Sequence, residues 1–183
     1  MMNFKTLTMT VALGLTSAAA MAQTPPPPPP PEAKTSAMPY VMAAGMSDLY
    51  EINSSQIALQ KSQRADVRKF ANMLIKHHQK TTAATMKAAA RANVTAPPPA
   101  LDAGATQSIN ELQTASAGDF DRIYLAQQGP AHQAALDLHQ SYSSGGDQAP
   151  LRTSARSAVP VVRQHLAAVT KLQNGKMGNM PGM

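Results

Sequence analysis

An all-α fold follows from three observations. From Met38 onward the chain is rich in Ala, Gln, Lys, Leu and Met, with apolar residues recurring at helical spacing. No segment alternates apolar and polar residues convincingly enough to read as a strand. Two short polar links and one long proline-containing link divide the pattern into four helices. The expected architecture is a four-helix bundle: two antiparallel helix pairs joined by a Pro-containing crossover.

The N-terminus reads as a targeting segment. Met1 to Lys5 is a short basic region, Leu7 to Ala20 is apolar and small, and Ala20-Met21-Ala22 is an A-x-A cleavage site. Residues 1–22 are therefore expected to be a signal peptide cleaved after Ala22, with the mature protein exported to the periplasm. The apolar run is interrupted by Thr, Ser and Gly, and no later stretch approaches spanning length, so no transmembrane span is expected after cleavage. Removing Lys5 with the signal lowers the formal net charge from +6 to +5.

Residues 23–37 form a Pro-rich spacer. Pro25 to Pro31 is an unbroken run, which favours an extended polyproline II segment of roughly 20 Å at about 3.1 Å per residue. The bundle is expected over 38–173, with helices at 39–62, 66–92, 106–143 and 149–173. Asp66 reads as the N-cap of the second helix. The link from Asn93 to Ala105 contains Pro97-Pro98-Pro99. About a dozen extended residues cover roughly 35–40 Å, enough to run the height of the bundle. Residues 174–183 read as a Met/Gly-rich flexible tail, in which Met177, Met180 and Met183 place soft thioethers at regular spacing.

Helical geometry assigns the polar residues to faces. In the second helix Val67, Ala71, Leu74, His78, Thr81, Thr85 and Ala89 share one line, with His78 at its centre. His77 lies about 100° away, at the edge of the face, where it reads as a rim group titrating near neutral pH. In the first helix the line is Val41, Ala44, Asp48, Ile52, Ser55 and Leu59, flanked by Glu51. In the fourth, His165 joins Leu151, Ala155, Ala158, Val162, Val169 and Leu172, with Pro160 on the outer face. In the third, Phe120, Tyr124, Ala131, Ala135 and Leu138 form the apolar line and Asp121, His132 and His139 a second one. Gly129-Pro130 should bend that helix.

Counting residues from the turns puts Glu51, His78, His132 and His165 near mid-height, while Asp121 and His139 lie away from that level. A glutamate and three neutral imidazoles suit one divalent transition metal, with Fe, Mn, Zn and Cu all compatible. The competing reading keeps each histidine as a hydrogen-bonded core residue. The protein is then a non-catalytic envelope interaction module.

Taken together, Glu51-Ile52, Ser55, Ile57-Ala58, Lys61-Ser62, Val67, Phe70-Ala71, Leu74-Ile75, His78, Phe120-Asp121, Tyr124, His132, Leu151, Pro160 and His165-Leu166 resemble the exported bacterial family known as domain of unknown function 4142. The resemblance implies a ferritin-like four-helix bundle of the periplasm or cell envelope, without an assigned activity. It implies polar family positions at Glu51, His78, Asp121, His132 and His165. The Glu-x-x-His pairs of di-iron bundles are absent, since Ile75 and Val162 stand three residues before His78 and His165. Phe70-Ala-Asn-Met-Leu-Ile-Lys-His-His-Gln-Lys80, with Met86 nearby, also resembles an exported bundle family in which His-His and Met residues suggest copper handling.

Other classes are disfavoured. Dispersed basic residues, three Phe and no Trp argue against nucleic-acid binding. The absence of cysteine excludes thiolate ligands, thiol nucleophiles and disulfides. No G-x-S-x-G, P-loop or dinucleotide fingerprint occurs. Catalysis is left open with no motif in its favour, and self-association is left open likewise.

Overall fold

The computed structural model describes residues 25–177. The signal segment, its cleavage site, Met180 and Met183 lie outside the described residues, as does the side chain of Met177. Among the described residues the fold is all-helical, with five α-helices: α1 (Ala37–Lys61), α2 (Ala65–Arg91), α3 (Ala103–Thr114), α4 (Phe120–Gly145) and α5 (Ala149–Met177).

Two apolar clusters set the chain directions. One joins Tyr40 of α1, Ala89 of α2, Leu138 of α4 and Leu151 of α5. The other joins Ala58, Val67, Phe120 and Val169 of the same four helices. Helices α1 and α5 therefore run one way, and α2 and α4 the other. The link between α2 and α4 must climb back along the bundle, and it contains a helix of its own, α3.

The single third helix expected over 106–143 is two helices. Asp102 starts α3 by accepting the Ala105 amide at 2.7 Å. After Thr114 the backbone turns extended at Ala115, and Ser116-Ala-Gly-Asp119 starts α4. The Ser116 hydroxyl accepts the Asp119 amide at 3.2 Å and donates to the Asp119 carboxylate at 2.8 Å, which closes the turn leading into α4. Gly129-Pro130 does not interrupt α4, which runs from Phe120 to Gly145 with Pro130 on its exposed side, where the lost hydrogen bond is best tolerated. Asp66 is likewise not the N-cap of α2: Arg64 takes that place, and Asp66 pairs with it at 2.7 Å from the first turn.

The proline run lies on the bundle, extended at Pro30 and turning into a 3-10 helix at Pro31. Pro26, Pro27 and Pro29 share a groove with Ala43 and Tyr50 of α1 and Ala131 and Ala135 of α4. A 3-10 turn over Pro31–Lys34 then buries Ala33 and leads into α1. The crossover packs as closely, since a Cβ added to Gly45 would stand 3.0 Å from the Pro99 ring.

The α4–α5 link locks the start of α1. Asp147 accepts the Tyr142 hydroxyl at 2.8 Å and the Ala37 amide at 3.3 Å, and Tyr142 stacks on Tyr40 with ring centroids 3.9 Å apart. A Cβ at Gly146 would lie 2.4 Å from the Tyr142 ring. Gly146→Ala is therefore expected to cost about 1–3 kcal/mol through displacement of that ring, measured by denaturant unfolding; an unchanged midpoint would show that the ring can yield freely.

Candidate metal centre

Between the two apolar clusters lies a polar layer. Asp48, Glu51, His78, His132 and His165 come from α1, α2, α4 and α5, and each is 5 % exposed or less. Burial of so many polar groups is costly unless each has a partner. The partners define the site.

His78 is held by Asp48, whose Oδ1 stands 2.7 Å from His78 Nδ1. Thr81 donates to both Asp48 oxygens at 3.1 and 3.0 Å, and Thr82 to Oδ2 at 2.7 Å. This is the carboxylate–histidine pairing that fixes ring orientation and tautomer beside metals. It leaves His78 Nε2 buried without a hydrogen-bond partner.

The other imidazoles form a chain whose proton positions can be derived. His132 Nδ1 is 2.9 Å from the Gln128 carbonyl, which can only accept, so Nδ1 carries the proton. Neutral His132 then presents a lone pair at Nε2, and His165 Nδ1, 3.1 Å away, donates to it. His165 Nε2 accepts in turn from His77 Nδ1 at 2.9 Å. One nitrogen from each of His78, His132 and His165 lies within 4.8 Å of the others. Ligand atoms around a tetrahedral ion at about 2.1 Å stand roughly 3.4 Å apart, so modest inward rotations would close the set.

Electrostatics keep two of the three imidazoles unprotonated. Burial first, then the neighbouring histidines, push His165 down to about 2; burial and His78 push His132 down to about 3. For His78, burial opposes protonation, but the hydrogen bond and charge of Asp48 and the charge of Glu51 outweigh it and raise its pKa. Burial drives Glu51 up to about 7 against the charge of His78. Neither Glu51 oxygen has a hydrogen bond, and Oε1 lies 3.6 Å from His132 Nδ1.

The structure thus brings His78, His132 and His165 together and sets Glu51 at the far nitrogen of His132, outside the three-histidine cluster. His77 is no detached rim group: it stacks on His165 with centroids 5.2 Å apart, and burial, with His78, Lys80 and Lys76, lowers its pKa. Asp121 sits half-buried in the first turn of α4, distant from the layer. His139 meets the Tyr40 hydroxyl at 3.0 Å. Sequence reasoning placed Asp48 on the buried line of the first helix without giving it a role. The signal was an acid one turn before Glu51 on a line otherwise apolar or hydroxylic.

The sequence matches a family model described as a domain of unknown function, DUF4142, over residues 22–172. No curated protein matches it. Among solved structures it is similar to one described as CopM in the Cu(II)-bound form, with a TM-score of 0.64 and 16% identity over 76% of this chain and 97% of that one. At that identity the likeness speaks to the all-helical fold alone.

Proposed function

We propose that this chain, which belongs to the DUF4142 family, binds one transition-metal ion at His78, His132 and His165 and serves metal handling or stress protection after export to the periplasm. The observation that carries the reading is the buried, unpartnered Nε2 of His78, held by Asp48 beside two imidazoles that burial keeps neutral. An orphaned buried nitrogen is costly to a structural core, and an ion ligated at His78 Nε2 would relieve it. This favours a metal centre over the envelope-module reading with purely structural histidines.

The donor set fits the group. Three imidazoles suit Zn, Cu, Fe or Mn, with an open position for water or peroxide, and Cu(II) is the first ion to test because the CopM structure is described as binding it. When bound, the ion would supply Lewis-acid or redox chemistry. The residues present do the rest: Asp48 orients His78, Gln128 holds the proton of His132 at Nδ1, and His165 can free Nδ1 by carrying its proton at Nε2, facing His77. The reading also includes a ferritin-like arrangement of α1, α2, α4 and α5. Among the described residues no helix is long and apolar enough to cross a membrane.

Metal analysis tests it. Protein isolated without chelating resins is expected to carry about one equivalent of a transition metal, and His78→Ala none, while His139→Ala keeps it. A wild-type protein that is metal-free and takes up none of Zn, Cu, Fe or Mn would contradict the reading.

A further inference from the structure

The three-histidine cluster is closed to solvent, with His78, His132 and His165 at 3, 1 and 0 % exposure. A hydrated ion cannot reach it without a path. Between α2 and α5 a pocket of about 310 Å³ is lined by His77, Lys80, Thr81, Thr85, Ser154 and Gln164, among others. Lys80 and Gln164 are exposed, so the pocket opens outward. Its inner wall touches the site twice: through His77, bonded to His165, and through Thr81, bonded to Asp48. The grooves beneath the proline run and the crossover contain neither the site histidines nor any residue bonded to them.

We propose that this α2–α5 pocket is the access route of the metal ion and that His77 is its relay ligand, taking a divalent cation from solvent and passing it to His165. The proposal rests on the metal reading above. His77 lies parallel to His165, with 18° between the rings, so a small rotation exchanges its hydrogen bond for a ligand bond without moving either helix. A single imidazole among hydroxyls, with no carboxylate lining the pocket and the Lys80 ammonium beside it, binds a cation weakly. Weak binding is what a transit position needs, because an ion held tightly there would not move on.

Two substitutions separate relay from plug. His77→Phe keeps an aromatic ring over His165 without a nitrogen ligand, and His77→Ala empties the position. Metal-free protein would be mixed with Cu(II) in stopped flow, followed by quenching of tyrosine fluorescence, with the final stoichiometry read by metal analysis. Both variants are expected to load roughly tenfold more slowly, the scale of losing one supporting ligand contact, yet to reach the same one equivalent. Faster loading by His77→Ala would show a plug and overturn the relay; unchanged rates would place the route elsewhere and overturn it too. Wild-type protein that never loads would overturn the metal reading itself, a result distinct from both.

Discussion

Asp48→Ala is expected to lower the thermal midpoint by about 10 °C and to weaken metal binding by roughly 10–100-fold. Three hydrogen-bond donors converge on this carboxylate: His78 Nδ1, Thr81 and Thr82. Its removal strands His78 Nδ1, on a ring only 3 % exposed, and takes the acceptor from Thr82, while Thr81 can still donate to the carbonyls of His77 and His78. Breaking a buried charged pair by deleting one partner costs about 3–5 kcal/mol, and each kcal/mol moves the midpoint of a chain this long by roughly 2–4 °C. The affinity loss follows because an unheld imidazole must be ordered by the ion itself. Asp48→Asn keeps an accepting oxygen, so it should recover about half of the stability. Circular-dichroism melts and a metal titration on the same samples read both effects; a normal midpoint with normal affinity would remove Asp48 from the account.

Acid should unfold the metal-free protein steeply below about pH 5, with a sign set by opposing groups. His132, His165 and His139 are depressed to about 3, 2 and 4 from an ordinary 6.5. Below pH 6.5 the unfolded chain therefore binds protons that the folded one refuses. Stability falls with pH there, by about 2 kcal/mol per histidine at pH 5. Glu51 acts the other way. Raised from 4.5 to about 7, it holds a proton in the folded state that the unfolded chain has lost, so its ionisation costs stability as pH rises from 4.5 to 7 and protonation returns it as pH falls. His78, raised by Asp48, also contributes stability at low pH and loses it as pH rises through its folded value. These gains blunt the acid loss down to about pH 4.5, where the unfolded chain's glutamate is protonated as well and Glu51 has no more to return.

Two variants isolate the terms. Glu51→Gln should be more stable than wild type by about 3 kcal/mol at pH 8 and equal to it near pH 4, since the difference is the ionisation cost alone. His165→Leu should flatten the acid limb by about 2 kcal/mol at pH 5. Urea unfolding at pH 8, 6 and 4 measures both, and a Glu51→Gln advantage independent of pH would show that repacking, not charge, is responsible.

Much of the scaffold was legible because helical periodicity is a property of the chain alone. The line through Val67, Leu74, His78 and Ala89 is buried in the structure at each of those positions, and Pro160 does face outward. The break at Ser116 is masked in the sequence, because apolar residues at helical spacing continue on both sides of Ser116-Ala-Gly-Asp119. His77 shows a different limit. A helical wheel gives the direction of each Cα–Cβ bond, but an imidazole swings on two further bonds, so a residue 100° from the buried line can still reach His165 on α5. Hydrogen-bond partners between helices, such as Asp48 with Thr81 and Thr82, depend on those rotations and are invisible to spacing.

The most direct measurement is anomalous diffraction from crystals of the protein loaded with Cu(II), collected on both sides of the copper absorption edge. The account predicts one strong peak bounded by His78 Nε2, His132 Nε2 and a ring nitrogen of His165. No peak there, or peaks only at surface residues that persist in His78→Ala, would contradict it.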